Sequence, residues 1–208
     1  MKHSKLILLA LLGVFFFTSC KDEDPVKPAV TAPSFAKITK IKALTSVSIT
    51  TAQTTIEGWG YSSQGAIQFN DDVKLYTFAS DTKTDVYMLY VTNNVVFASS
   101  YANLLERTMA LKEFESLSKE CIAYMAGKTS LYSGMTTLNL NNTTSFTSHD
   151  SFSTHYETNI YDVTSCHESW KTVKEVVKSS FSAKDTEGTI KRAELMYIDV
   201  EIMPAGFM

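Results

Sequence analysis

Two hydrophobic rhythms follow one another along this chain, and their order restricts it to folds that join a sheet to helices. Before residue 100, apolar side chains tend to alternate. Ile41, Ala43, Val47 and Ile49 take odd positions, with Lys40, Lys42, Ser46 and Ser48 between them. That is the period-two mark of a half-buried strand. Residues 54–61 read as a second, weaker strand, interrupted by Gly58 and Gly60. Residues 66–69 and 73–78 flank Asn70, Asp71 and Asp72, a hairpin signal. Residues 85–91 are densely apolar, as suits a strand buried on both faces. Asn93-Asn94 then turns the chain toward Val95, Val96 and Phe97. After Tyr101 the rhythm changes. Leu104, Leu105, Thr108, Met109, Leu111, Phe114, Leu117, Cys121, Ile122 and Met125 recur at spacings of three and four, with charged residues filling much of the other side. The spacing predicts an amphipathic helix over about 101–126, ended by Gly127.

Residues 129–164 are rich in Ser, Thr and Asn and read as short strands or a long decorated loop. Ser165 with Glu168 three residues on makes a capping box, and Trp170, Val173, Val177 and Phe181 lie at helical spacing. They predict a second helix over about 165–182, with the frequent valines leaving a strand open. Residues 185–188 read as a turn, and 190–203 as a final strand. No stretch of sequence repeats another. The expectation is an α+β domain, mainly an antiparallel sheet or sandwich, carrying one long helix and a second.

The start of the chain has a different character. Lys2 and Lys5 precede an apolar run over residues 6–17, broken only by Gly13. The run has signal-peptide length and falls short of the roughly 20 residues a spanning helix needs. It ends in Phe17-Thr18-Ser19-Cys20, which resembles the lipobox of bacterial lipoproteins. The resemblance implies diacylglycerol on the Cys20 thiol and cleavage on its N-terminal side. Phe17 stands where leucine is commoner. Lys21-Asp22-Glu23-Asp24 follows and resembles the export signal of Bacteroidota surface lipoproteins, which implies display on the outer face of the outer membrane. Pro25, Pro28 and Pro33 then give a stiff, extended stretch at about 3.1 Å per residue. The expected organisation is a signal peptide over 1–19, a lipidated cysteine and linker over 20–34, and one globular domain over 35–208. Two or three acyl chains on one cysteine make dissociation from a bilayer negligible, whereas one is marginal.

Charge and motifs exclude more than they assign. Without Lys2 and Lys5 the formal charge falls from −3 to −5, and no basic cluster suggests nucleic acid. Cys121 and Cys166 would meet an oxidising compartment, and a bridge between them would close a loop of about 45 residues, worth about 4 kcal/mol. A buried thiol on the helix face is the alternative for Cys121. His149, Asp150 and His155 fall within seven residues but match no zinc spacing. Cys166-His167 is adjacent in sequence, unlike a cysteine nucleophile and its base. No Gly-x-Ser-x-Gly elbow or phosphate loop is present. No catalytic, metal or cofactor residue is therefore expected. Trp59 and Tyr61, alternating with Gly58 and Gly60, would on a strand point to one face and offer a stacking platform for sugars; a core tryptophan beside a bulge is the alternative. Tyr132, Tyr156 and Tyr161 fall in the Ser/Thr/Asn-rich stretch. The expectation is a lipid-anchored, non-catalytic surface domain that binds a glycan or an envelope protein. A structural subunit of an envelope or adhesin assembly is the alternative, and a surface hydrolase the third.

Overall fold

The computed structural model describes residues 37–139, 141–183 and 195–206, all within the compact unit Phe35–Met208. The signal peptide, Cys20, the linker and the turn expected at 185–188 lie outside the described residues. The fold is α+β and dominated by its sheet. In chain order the elements are α1 (Lys37–Leu44), α2 (Ile49–Gly58), β1 (Ser62–Asn70), β2 (Val73–Ala79), β3 (Asp85–Thr92), β4 (Val95–Glu106), α3 (Arg107–Met125), β5 (Leu131–Leu138), β6 (Asn142–Phe146), α4 (His149–Asn159), β7 (Val163–Lys171), β8 (Glu175–Ala183) and β9 (Leu195–Pro204). Nine strands form one antiparallel sheet in the order β1-β2-β3-β4-β9-β8-β7-β5-β6.

Apart from the edge strand β6, that order reads alike from either side. A helix, α2, precedes the meander β1-β2-β3-β4; another, α3, precedes β5-β7-β8-β9, into which β6 and α4 are inserted. The last strand of each meander meets the other at the centre, as β4 pairs with β9. The architecture thus repeats where the sequence does not, because the pattern needs only matching polarity on matching elements.

The four helices among the described residues share one face of the sheet. Their buried residues, among them Ile41, Ala52, Phe114 and Phe152, form a single core with Phe78, Tyr87, Leu89, Trp170, Val177, Phe181 and Val200 of the strands. The opposite face divides chemically. On β2 to β4 it presents Leu75, Val86, Met88, Tyr90, Ala98 and Ala102; on β5 and β7 to β9 it presents Ser133, Thr137, His167, Ser169, Lys178, Ser180 and Glu201.

Several elements differ from the sequence expectation. The stretch expected as an alternating strand at 41–49 is α1 and the start of α2. Ile38, Ile41 and Leu44 bury one stripe of α1, a period of three that the lysine alternation conceals. The weak strand at 54–61 is the end of α2. Ser48 caps this helix by accepting from the Thr51 N–H, and the Thr54 and Thr55 hydroxyls bond back to the carbonyls of Thr50 and Thr51. These bonds satisfy side chains that otherwise compete with the helix. The long helix begins at Arg107 rather than about 101, because Tyr101 to Glu106 continue β4 and pair with β9. The helix expected over 165–182 is the hairpin β7–β8. Val177 and Phe181 stand four apart, which places them on one face of a strand as well as of a helix. Thr172 breaks the run, its hydroxyl accepting from the N–H groups of Lys174 and Glu175. The second helix in the C-terminal part is α4, inside the Ser/Thr-rich stretch, where Phe152 and Tyr156 are buried four apart. The Asn93-Asn94 turn is as expected: both residues have positive φ, 49° and 63°, as a type I′ hairpin requires.

Candidate functional site

A groove of about 570 Å³ opens where α1 and α3 end beside the β7–β8 turn. Apolar residues from two strands line it, Phe97 of β4 and Ile202, Met203 and Pro204 of β9, with Val173 at the turn. Hydroxyls of Thr45, Ser46, Thr129 and Thr172 and amines of Lys42, Lys128 and Lys174 stand around them. The volume lies within the range typical of small-molecule sites.

One carboxylate organises the polar part. Glu175, the first residue of β8, accepts from Lys42 Nζ at 2.7 Å, from Lys128 Nζ at 3.1 Å and from Tyr124 Oη at 2.9 Å. The Lys128 ammonium also lies over the Tyr124 ring, 3.3 Å from its centroid. Burial alone would raise the Glu175 carboxyl, but the bonds from Lys42, Lys128 and Tyr124 outweigh it and hold the group at about 2. Tyr124 shifts the other way, its phenol pushed above the usual range by burial and by Glu175. Lys42 also lies in the last turn of α1, and Lys128 just beyond the end of α3, where the helix dipoles favour cations. A group depressed in the folded state contributes stability that is complete above its ordinary value and lost as pH falls through the folded value. The stability gap between the wild type and Glu175→Gln is therefore expected to hold at neutral pH and to shrink between about pH 4.5 and 2, read as urea midpoints.

A second cluster lies beneath α3 and α4. Glu168 of β7 is fully buried. It accepts from the Ser118 hydroxyl of α3, from Tyr132 Oη of β5 at 2.8 Å, and pairs with His149 Nδ1 at 2.6 Å. His149 is the first residue of α4, after the cap Ser148, and its side chain is about one-third exposed. Gly134, opposite Glu168 in the β5–β7 ladder, makes this arrangement possible. A Cβ there would come within 2.5 Å of Tyr132 Oη and 2.9 Å of Phe152 Cδ2. Gly134→Ala is expected to cost about 1–3 kcal/mol, read by thermal unfolding. Because Tyr132→Phe removes the tighter contact, it should cost less in the Gly134→Ala background than in the wild type.

Other residues singled out by sequence separate in space. Trp59 ends α2, and Tyr61 follows it; neither sits on a strand, and both pack half-buried against Tyr87, with ring centroids 5.4 and 4.9 Å away. Tyr61 donates to Asp85. The strand expected to turn both rings to one face is absent, because Gly58 and Gly60 lie at the end of a helix. Cys121 and Cys166 are both buried and are not joined in a disulfide. Cys121 lies toward Ser179 of β8, while Cys166 lies on β7, opposite Thr136 of β5; burial pushes the Cys121 thiol well above its usual range. Adjacent on β7, Cys166 and His167 face opposite sides of the sheet. His149 and His155 also part: the first reaches Glu168, the second packs on Phe146 at 5.1 Å. Among the described residues no cluster of three or more His, Cys, Asp or Glu is placed to hold a metal, and no helix is long and apolar enough to cross a membrane.

The groove and Glu168 were not foreseen from sequence. Lys42, Lys128 and Glu175 come from three distant segments, and no local pattern marks them. A buried glutamate beside a histidine had one faint signal, Glu168 within an otherwise apolar alternation on β7.

No family model matches the chain, and comparisons with characterised proteins and with solved structures find no match either.

Proposed function

We propose that the chain is a lipid-anchored envelope lipoprotein, held through Cys20 at the outer membrane and facing outward, whose domain binds a ligand without transforming it. The sequence around Cys20 supports the tether. One observation supports the binding role: a groove with an apolar floor and a rim of convergent amines and hydroxyls, the usual make-up of a ligand site. Glu175 is engaged by two lysines and a tyrosine, so it serves as a scaffold for the rim and not as an acid or base. The ligand is a glycan or a segment of an envelope protein.

Chemical-shift mapping of the exported chain against a panel of envelope saccharides and peptides tests this. Shifts are expected at Tyr124, Thr129 and Met203. Shifts confined to other surfaces, or conversion of a panel member to product, would remove the proposal. Palmitate labelling of cells tests the tether separately, and an unlabelled chain in the medium would end it.

A second reading, a structural subunit of an envelope assembly, is favoured by β1. This nine-residue edge strand, Ser62–Asn70, carries no charge and no proline, the devices that ordinarily discourage pairing with another chain. Its two register shifts, one beside Gly65 at φ +98°, interrupt the edge and limit the length open to such pairing.

A further inference from the structure

We infer that the ligand of this groove is an acidic saccharide of one or two rings, held by its carboxylate against Lys174 with Lys42 and Lys128 in support; the inference rests on the reading that the groove is the binding site. Charge is the first argument. The chain carries more acidic than basic residues, yet among the described residues three lysines meet in this groove against one carboxylate, that of Glu175. A net positive site on a net negative protein selects anions by contrast with the surface around it.

The amines are also unequally engaged. Lys42 and Lys128 share Glu175 at 2.7 and 3.1 Å and balance the helix ends behind them. Lys174 stands on the β7–β8 turn, is exposed, and also lines the groove. An incoming carboxylate meets Lys174 first and then competes with Glu175 for the other two. Charge-assisted bonds of this kind are roughly twice as strong as neutral ones.

Shape and hydroxyls argue for a sugar rather than a peptide chain. An extended peptide gains affinity by adding a strand to an open sheet edge. The strands at the groove, β4, β8 and β9, are each paired on both sides, so no backbone ladder is on offer. What the rim supplies is side-chain hydroxyls, at a volume of about 570 Å³, beside apolar side chains on which the C–H face of a pyranose can rest.

Calorimetry of the full chain in neutral detergent tests the inference, with a uronic acid disaccharide and its carboxyl-reduced, neutral counterpart as probes. The acidic probe is expected to bind, to weaken about tenfold with Lys174→Gln, to recover with Lys174→Arg, and to weaken with added salt. Equal affinity for the reduced probe, or indifference to Lys174→Gln, overturns the acidic assignment. In the first case loss of both affinities in Met203→Arg would leave the groove standing as the site. If neither saccharide binds, the saccharide assignment falls, and the peptide arm of the shift mapping then decides whether the groove reading falls with it.

Discussion

Glu168→Ala is expected to destabilise the domain by about 3–5 kcal/mol, the range for removing one partner from a buried charged cluster. The carboxylate is fully buried and satisfies Ser118, Tyr132 and His149 at once. Those three donors come from α3, β5 and α4, so one side chain on β7 links four elements. Alanine leaves the donors facing a void, and each unsatisfied buried group costs about 1–3 kcal/mol. His149 reaches solvent and can turn to water, so its share of the loss is the smallest. Single replacements should rank accordingly: Glu168→Ala well beyond Tyr132→Phe, and Tyr132→Phe at or beyond His149→Ala. Urea unfolding of the exported domain supplies the measurement. A Glu168→Ala loss below about 1 kcal/mol would show that the carboxylate does not hold these elements together.

How much of this was legible in the sequence depends on whether one period or two explained the same residues. Residues 85–91 and the Asn93-Asn94 turn left a single solution, and they fold as β3 and the β3–β4 hairpin. The stripe from Thr108 to Met125 likewise admitted only a helix. Val177 and Phe181 did not: a spacing of four satisfies a strand and a helix equally, and the partner strand decides. Threonine-rich α2 misleads in the opposite sense, because β-branched residues favour strands until the hydroxyls find carbonyls one turn back. Histidine and serine at 148–149 look like loop, yet Ser148 is the cap that starts α4. Of the candidate site, nothing local points to the groove. Its lysines are 86 and 46 positions apart in order, and only the pairing of β4, β9 and β8 brings their elements to one end of the sheet. Pairings of that kind are set by the whole fold.

Phe114→Ala is expected to cost about as much as Glu168→Ala, some 3–5 kcal/mol, for the opposite reason. The ring is 1% exposed and lies where α3, α4 and β8 converge. Its centroid is 6.2 Å from Phe152, 5.5 Å from Tyr156 and 5.3 Å from Phe181. Alanine removes apolar surface and opens a cavity that three rigid rings cannot fill without leaving their rotamers. Met109 on the same helix is 51% exposed, so Met109→Ala should stay within about 0.5 kcal/mol of wild type. Equal losses in the two variants would mean that α3 packs on the sheet through another face. The consequence for dynamics is sharper than the energy. Helix α4 is an insertion between β6 and β7, and its buried side chains, Phe152 and Tyr156, both lean on Phe114. With that support gone, α4 keeps its cap and the His149–Glu168 pair but loses its apolar seat. Amide exchange in α4 should therefore accelerate before exchange in β3 or β4, which bury their residues elsewhere in the core. Uniform acceleration across the sheet would instead place α4 inside the same cooperative unit as the central strands.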